Sequence, residues 1–227
     1  MKQIISLLLL HLLFISPHVF GGDPIAIYVH GLNANVGAKA YEPFFKTLMN
    51  KNKLIISRLP GHQYIGELTD LSPQKIKTYM DSMKSISPTP EETTVYAHSM
   101  GAILWRNYIS EQDRSRFKKI IYLAPGAPPK YYWFFKYLIK LLPSNMEISS
   151  YSPKSLRLND SIPISAYELL FQEVEKFKQQ KKLLANEEIW VHEKDEVVDV
   201  QELKSTFPAT QVKTGTSQHP YHVYFLL

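Results

Sequence analysis

Near the middle of the sequence lies a serine that has a small residue two positions before it and another two positions after it. The stretch Ala97-His98-Ser99-Met100-Gly101 has the small-x-Ser-x-Gly form of a nucleophile elbow, in which a sharp turn between a strand and a helix lifts the serine hydroxyl above a sheet. The pattern alone is weak, because it is expected by chance in about one chain of this length in six. Strand-like residues 93–97 enter the motif and helix-like residues 102–109 leave it, which favours Ser99 as a nucleophile over an ordinary serine in a turn.

A nucleophilic serine requires a base, and the base requires an acid that orients it. Asp195 follows one strand-like run and His219 follows the last one, so the chain order is serine, aspartate, histidine, which is the order associated with the nucleophile elbow. We therefore predict Ser99, Asp195 and His219 as the catalytic residues. The sequence also contains three other candidate acids and one other candidate base: Glu193, Glu196, Asp199 and His222.

Two backbone amides are candidates for an oxyanion hole. The Met100 N–H directly follows the nucleophile at a helix start, where amides lack intrahelical partners and the positive end of the helix dipole is exposed. After the first strand, His30-Gly31 permits an unusual backbone turn, which makes the Leu32 N–H the second donor. We predict that His30 and Gly31 line the substrate site, although Gly31 could also be an ordinary loop glycine.

Short apolar runs alternate with helix-like segments along the chain, and they provide the framework for these residues. Six runs are predicted strands: 25–30, 54–59, 93–97, 119–123, 188–191 and 210–213. Five segments are predicted helices: 38–49, 73–86 with Ser72 as N-cap, 102–109, 166–184 and 200–206. The first two strands read as buried on both faces. This alternation predicts an α/β fold with a mostly parallel sheet, whose carboxyl edge holds the active site.

The composition excludes several classes of protein. With 227 residues, of which 44% are hydrophobic and 21% charged, the chain can bury the core of one medium-sized domain. The absence of cysteine excludes a disulfide framework, a thiolate nucleophile and a cysteine-based metal site, and the eight histidines include no HExxH pattern, so we expect no metal and no cofactor. The net charge of +5 is scattered along the chain, which predicts no nucleic-acid partner but tolerates an anionic membrane surface.

The N-terminal segment is typical of a secretory signal peptide. Lys2 precedes the apolar run 4–15, and a proline and small residues follow over 16–22. A transmembrane helix needs about 20 apolar residues, so an uncleaved anchor is the less favoured alternative. We therefore predict a signal peptide over 1–22, a single domain over 23–227 and a secreted or periplasmic location.

Five stretches together resemble the α/β-hydrolase superfamily, in particular small secreted bacterial lipases and esterases. They are His30-Gly31-Leu32, Leu59-Pro60-Gly61-His62, 97–102, 191–198 and His219-Pro220-Tyr221-His222. The resemblance implies an α/β-hydrolase fold with a minimal sheet of about six strands, because the two strands that open the family's sheet are missing. It also implies His219 as the base, since a second histidine often follows the catalytic one by three residues. Gln218, in place of the family's usual glycine, and the short C-terminal end after His219 depart from the pattern.

The run 131–142 is rich in aromatic residues and is bounded by Pro128-Pro129 and Pro143. As a helix it would place Lys136 and Lys140 one turn apart on a narrow polar stripe, with nearly all other positions apolar. One interpretation is a helix buried against the sheet. The resemblance implies a cap or lid over 127–165 instead, with Trp133 and Phe134 lining an acyl pocket and the aromatic segment contacting a membrane surface.

These observations predict a serine hydrolase that cleaves carboxylic esters of small molecules or lipids through an acyl-enzyme. A thioesterase or amidase using the same three residues is the nearest alternative, because the triad determines the mechanism and not the leaving group. A non-catalytic protein of the same fold that binds a lipid or a protein partner is an alternative of a different class.

Overall fold

The structure is a computed structural model that describes residues 24–62, 68, 71–150 and 152–215. Its strands are β1 (Ile25–Val29), β2 (Lys53–Ser57), β3 (Thr93–His98), β4 (Lys119–Leu123), β5 (Glu147–Ser149), β6 (Ser161–Pro163), β7 (Glu187–His192) and β8 (Val212–Gly215). Its α-helices are α1 (Glu42–Met49), α2 (Pro73–Lys84), α3 (Met100–Tyr108), α4 (Glu111–Ser115), α5 (Tyr132–Leu141), α6 (Ile164–Gln179) and α7 (Val200–Thr206). Short 3-10 turns cover Lys39–Tyr41 and Pro90–Glu92.

The predicted parallel sheet is confirmed. Six strands pair in the order β2-β1-β3-β4-β7-β8, and every neighbouring pair is parallel. The register places the strand ends at one level, since Val29 pairs with Ala97 and His98 pairs with Leu123. The segments that follow β1, β3, β4 and β7 therefore begin at the same edge of the sheet, where ligands bind in folds of this kind.

Two hydrophobic cores cover the opposite faces of the sheet. The larger core packs α2, α3, α6 and α7 against the side chains of Ile25, Ile27 and Val29 on β1. The smaller core packs Tyr41 and Phe45, from the turn and helix after β1, around Tyr28. Successive side chains of a strand point to opposite faces, so β1 contributes to both cores and is buried throughout, as predicted.

The prediction for the second strand was wrong. β2 forms an edge of the sheet, where Lys53 and Ile56 are exposed and only Ser57 is buried. An apolar run indicates a strand but not its position in the sheet. The structure also contains two elements that the sequence pattern did not indicate, the short helix α4 and the antiparallel hairpin of β5 and β6.

A buried polar network lies at the opposite end of the sheet from the strand exits. Glu187, at the start of β7, accepts hydrogen bonds from Arg106 Nη1 at 3.4 Å, Arg114 Nε at 2.7 Å and the Tyr122 hydroxyl at 2.6 Å. All four residues are buried. The network joins the end of α3 to the start of β7. Helix α3 follows Ser99 in the chain, and strand β7 precedes Asp195.

Three predictions fall on residues outside those that the structure describes. They are the signal peptide, the histidines His219 and His222, and the departure at Gln218. Among the helices in the described part of the chain, none has the length and apolar composition that crossing a membrane requires.

Candidate active site

Ser99 occupies a strained turn between β3 and α3. Its backbone has φ 52° and ψ −120°, a conformation that residues other than glycine rarely adopt. Ser99 is half-buried, while Ala97 before it and Met100 after it are fully buried. Strain of this kind persists only where the surrounding structure enforces it, and it occurs most often at functional sites.

Close backbone packing explains the small residues of the motif. A Cβ atom on Gly101 would lie 2.5 Å from the carbonyl oxygen of His30 and 2.6 Å from that of Val29. Both neighbours are backbone atoms, which could move only by distorting strand β1. A glycine is therefore required where α3 begins beside the end of β1. Gly126, after β4, lies beside the nucleophile, since a Cβ on it would be 3.5 Å from Ser99 Oγ.

Gly31, in the loop after β1, packs closely against Ser99. A Cβ atom on Gly31 would lie 2.7 Å from Ser99 Cβ and 3.2 Å from Ser99 Oγ. The reason for the glycine differs from the expected one, because Gly31 does not have a positive φ and the left-handed residue of this loop is Asn33, with φ 58°. Gly31 is thus needed for its close approach to Ser99, which agrees with a position in the wall of the site.

The ring of His30 is part of the loop's internal structure. It is fully buried, its Nε2 accepts a hydrogen bond from the Leu59 N–H at 2.9 Å, and its Nδ1 lies 2.7 Å from the Gly31 carbonyl oxygen. Burial, together with the nearby ring of His62, lowers the pKa of His30 well below its usual range. We predicted a substrate-binding side chain here, but a ring with both nitrogens bonded inside the protein positions the loop instead.

His62 holds the same loop through a second bond of the same kind. Its Nε2 accepts a hydrogen bond from the Asn33 N–H at 2.8 Å, and its Nδ1 lies 3.0 Å from the Pro60 carbonyl oxygen. Burial lowers the pKa of His62 to about 4, so the ring is neutral at pH 7 and Nε2 remains an acceptor. The rings of His30 and His62 are 4.8 Å apart between centroids. Two neutral histidines therefore attach the loop after β1 to the loop after β2.

Asn33 is a residue of this loop whose role the sequence did not reveal. Its side chain is fully buried: Oδ1 accepts the Asn159 N–H at 2.8 Å, and Nδ2 donates to the Asn159 carbonyl oxygen at 2.8 Å and to Ser150 Oγ at 3.0 Å. Asparagine tolerates the left-handed conformation better than most residues. An Asn shortly after the first strand is the only sequence signal for this role. Asn33 thereby connects the loop that contains Leu32 to the segment after β5.

Asp195 is the one buried carboxylate among the four candidate acids. Its side chain has no exposed surface, and Oδ1 accepts hydrogen bonds from the Val197 and Val198 amides, both at 2.8 Å. Glu193 and Glu196 are exposed. Asp199 instead caps α7, where it accepts the Glu202 N–H at 3.0 Å. The geometry fixes the carboxylate of Asp195 in one orientation at the end of β7, as an orienting acid requires.

Ser99 and Asp195 lie at the same edge of the sheet. The single strand β4 separates β3 from β7, so the axes of these two strands are about 10 Å apart. β8 ends beside β7 at Gly215, whose carbonyl oxygen accepts the Glu193 N–H at 3.1 Å. The chain therefore leaves the described residues at this edge, four positions before His219.

The two predicted oxyanion donors lie on either side of the nucleophile. Met100 is the first residue of α3, so its amide belongs to the helix turn that has no carbonyl partner within the helix. Leu32 directly follows Gly31, whose Cα faces Ser99 Cβ, and it is half-buried in the turn that ends with the hydrogen bond from the Ala34 N–H to the Gly31 carbonyl oxygen at 3.4 Å. Met100 therefore adjoins Ser99 in sequence, and Leu32 adjoins the glycine that approaches Ser99.

The aromatic segment forms helix α5, and it is not buried against the sheet. Tyr132 and Ile139 are its only buried residues, whereas Trp133 and Phe134 are each 65% exposed. The interpretation as a core helix is therefore wrong. The predicted role of Trp133 and Phe134 in an acyl pocket receives no support from their positions, since both side chains lie mainly in solvent.

The segment 127–165 contacts both sides of the site. Near its start, the Lys130 N–H donates to the Val197 carbonyl oxygen at 2.7 Å, and the Lys130 ammonium donates to the carbonyl oxygen of Asp195. Near its end, Asn159 binds Asn33 as described above, and the Leu156 carbonyl oxygen accepts the Asn35 N–H at 2.9 Å. This segment connects the loop of the candidate acid to the loop of the candidate oxyanion donor, and its role as a cap stays a prediction.

Comparisons with known proteins agree on the fold. No protein-family model and no curated protein matches the sequence. Among solved structures, a putative hydrolase from Agrobacterium vitis is similar with a TM-score of 0.59 and 13% identity, over 88% of this chain and 81% of that one. Mouse alpha/beta hydrolase domain-containing protein 10 is similar with a TM-score of 0.56 and 17% identity, over 89% and 83% of the two chains.

A third similar structure comes from a study of carboxylesterases of the thaumarchaeon Nitrososphaera gargenis, with a TM-score of 0.51 and 11% identity, over 90% of this chain and 85% of that one. Identities this low establish an architecture and not a reaction. The strand order, the strained serine turn and these similarities lead to one conclusion: the chain has the α/β-hydrolase fold.

Proposed function

We propose that the protein is a serine hydrolase that cleaves carboxylic esters through an acyl-enzyme. The observation that carries the proposal is the backbone of Ser99, whose φ of 52° and ψ of −120° place a serine in the strained turn of a nucleophile elbow. Gly31, which leaves no room for a Cβ beside Ser99, and Gly101, which lets α3 start against the end of β1, support a turn that is shaped for a functional serine.

In the first half of the proposed reaction, Ser99 Oγ attacks the ester carbonyl carbon while its proton passes to Nε2 of His219. The negative charge that develops on the carbonyl oxygen accepts hydrogen bonds from the amides of Leu32 and Met100. The bond from carbon to the alcohol oxygen then breaks, and the leaving alcohol takes the proton from His219. The acyl group stays on Ser99.

In the second half, water replaces the alcohol and the same steps run in the opposite direction. His219 accepts a proton from the water, the hydroxyl adds to the acyl carbon, and the bond to Ser99 Oγ breaks as His219 returns the proton to Oγ. The carboxylic acid leaves and the enzyme is restored. Asp195 accepts the hydrogen bond from Nδ1–H of His219 throughout, which keeps the ring in the required tautomer.

The short distance along the chain from Gly215 to His219 supports the assignment of His219 as the base. Gly215 ends β8 at the same edge of the sheet as Asp195, and four extended residues span up to about 14 Å. A histidine four positions after Gly215 can therefore reach the gap between Ser99 and Asp195. We propose an ester as the first substrate to test, before the thioesters and amides that the same triad could cleave, because one of the similar structures comes from a study of carboxylesterases.

A fluorophosphonate probe tests the proposal directly, because it modifies only an activated serine. We expect the wild type to be labelled, the Ser99→Ala variant to be unlabelled, and the exposed-helix control Ser205→Ala to be labelled like the wild type. Nitrophenyl esters, thioesters and anilides of matched acyl groups then separate the three possible leaving groups. Equal labelling of the wild type and Ser99→Ala, at equal thermal stability, would exclude Ser99 as the nucleophile, and a folded wild type that is not labelled at all would favour a non-catalytic binding protein.

We also propose that the protein is secreted or periplasmic. Residues 1–22 have the pattern of a signal peptide, so we expect a secretion-competent host to export the chain and to shorten it by about twenty residues. Mass spectrometry of the exported protein measures the new N-terminus. A full-length product that remains in the membrane fraction after a carbonate wash would favour an anchor.

A further inference from the structure

Helix α5 exposes large apolar side chains along most of its length. Its inner side is formed by Tyr132, whose ring centroid lies 5.5 Å from that of Phe171 on α6, and by the buried Ile139. The outer side, which we call the α5 face, consists of five residues with exposures of 65, 65, 67, 40 and 81%: Trp133, Phe134, Tyr137, Leu138 and Leu141. Single exposed apolar residues are ordinary, but a contiguous group of this kind marks a binding surface.

The charged side chains of α5 itself are all lysines, although Lys136 is ion-paired with Glu175 of α6 and the neighbouring Lys178 with Glu202 of α7. From Gly126 to Met146 the sequence contains no acidic residue, while it contains Lys130, Lys136 and Lys140. Lys136 lies on the flank of the helix, with its ammonium 5.5 Å from the ring centroid of Trp133, and Lys140 is exposed one turn further along the same flank. From α6, the ammonium of Lys178 lies 4.9 Å from the ring centroid of Tyr132. Aromatic and aliphatic side chains bordered by lysines are typical of a helix that lies in a membrane interface.

We propose that the α5 face binds the surface of an anionic phospholipid membrane. The helix of ten residues is about 15 Å long and would lie parallel to the membrane plane, with its apolar side chains among the acyl chains and the lysines at the level of the phosphates. Tyrosine and tryptophan are the residues enriched at that depth. The binding itself does not depend on catalysis. Only its consequence, that the substrates include membrane-resident esters, rests on the proposed function.

The position of α5 relative to the candidate active site supports a membrane as the partner of the α5 face. The chain enters α5 from β4 through the segment that holds Gly126 beside Ser99 Oγ and Lys130 beside the loop of Asp195. A membrane bound to α5 would therefore lie next to the mouth of the site. A second copy of the chain is a poorer partner for this face, because a two-fold contact would bring the exposed Lys140 of both copies into one interface.

Vesicle co-sedimentation tests the proposal. The protein is taken as recovered from a secretion-competent host and contains Ser99→Ala, so that hydrolysis cannot change the lipids. We expect at least tenfold stronger binding to vesicles of phosphatidylcholine mixed with an equal part of phosphatidylglycerol than to phosphatidylcholine alone. Replacing Tyr137, Leu138 and Leu141 together by Gln, a good helix former, should weaken binding at least tenfold. The matched control replaces two exposed apolar residues elsewhere, Met49→Gln and Ile56→Gln, and should bind like the parent.

A fluorescence measurement locates the contact on α5. Of the three tryptophans, Trp133 on α5 is exposed, Trp190 on β7 is half-buried and Trp105 is buried. Brominated lipids should therefore quench the emission of the parent protein mainly through Trp133, and Trp133→Phe should still bind but lose that quenching. Equal binding of the triple Gln variant at unchanged thermal stability, or binding without quenching of Trp133, would overturn the proposal. Light scattering that shows a dimer dissolved by the triple Gln variant would assign the face to a second copy instead.

The two proposals can fail separately. In the background with an intact Ser99, the triple Gln variant should hydrolyse a soluble short-chain ester like the wild type and should lose activity only towards esters presented in vesicles. Normal hydrolysis of the soluble ester without vesicle binding would overturn the membrane proposal alone. Vesicle binding through α5 without fluorophosphonate labelling would overturn the proposed catalysis alone.

Discussion

The backbone amide of Asn33 donates a hydrogen bond to Nε2 of His62 at 2.8 Å, across the space between the loop after β1 and the loop after β2. The bond requires a neutral ring, because a protonated Nε2 would present a second hydrogen to the Asn33 N–H. Burial favours the neutral ring, and it lowers the pKa of His62 to about 4. The loop that supplies the proposed oxyanion donor Leu32 is therefore held in place by an interaction that acid removes.

This predicts a loss of stability on acidification. Below pH 6.5 the unfolded chain takes up a proton on residue 62 that the folded chain accepts only near pH 4, so the free energy of unfolding falls between these two values. The total loss from this residue is on the order of 3 kcal/mol. Urea unfolding at several pH values measures it, and His62→Gln should reduce the slope across this window. A slope that is unchanged in His62→Gln would contradict the prediction.

Gly31→Ala should impair catalysis, because its Cβ would lie 2.7 Å from Ser99 Cβ and force either the nucleophile or the loop to shift. A displacement of about 1 Å can cost about 100-fold in turnover, so we expect a loss of at least that size in kcat. The matched control is Gly37→Ala in the exposed part of the same loop, where the nearest atom would be 3.5 Å away. Similar kcat values for the two variants would show that the approach of Gly31 to Ser99 is not needed for the reaction.

Substitutions of Asn33 separate its backbone from its side chain. Asn33→Gly accepts φ 58° but removes the hydrogen bonds to Asn159 and Ser150, so kcat should fall by about 10- to 100-fold as the loop loosens. Asn33→Ala should be less stable than Asn33→Gly by about 1–2 kcal/mol, because alanine must also adopt the left-handed conformation. Kinetics and thermal unfolding of both variants measure these effects. A wild-type kcat in Asn33→Gly would mean that the connection to the segment after β5 does not position the site.

Asp195→Asn should lower kcat by about 10⁴, because the amide favours the wrong tautomer of the catalytic imidazole. The fold should persist, since Oδ1 of the asparagine can still accept the amides of Val197 and Val198. Two controls use the neighbouring acids: Glu193→Gln is exposed, and Asp199→Asn keeps a good N-cap on α7. A larger loss in either control than in Asp195→Asn would move the acid to that residue.

His219→Ala should be at least as damaging as Asp195→Asn, and His222→Ala should be much milder. The reason is that the base must take the proton of Ser99 Oγ, a step that no other group of the triad can perform. Steady-state kinetics with a nitrophenyl ester measure both variants. If His222→Ala is the more severe of the two, the base is His222 and the chain after β8 follows a different path from the one we propose.

The sequence predicts the sheet well because apolar runs and turn residues are local signals. β1, β3, β4 and β7 and the serine turn appear where the pattern indicates them. Long-range effects were not predictable. Nothing local distinguishes the edge position of β2 from a buried one, and an aromatic helix has the same pattern whether its outer side meets the core or solvent. The buried bonds of Asn33 to Asn159 join residues 126 positions apart, so no spacing rule could have indicated them.

The buried pair of Arg106 and Glu187 joins the helix of the proposed nucleophile to the strand of the proposed acid. Helix α3 begins at the nucleophile and ends near Arg106, and β7 begins at Glu187 and leads to the loop of the acid. The ion pair joins these elements at the end of the sheet opposite the strand exits, and Arg106 lies about 10 Å along the helix axis from Ser99. A substitution that alters this ion pair acts on both elements at once, so we expect it to change the separation of Ser99 and Asp195 from the far side of the sheet. Laboratory evolution for faster turnover has a route there that leaves every residue around the substrate unchanged.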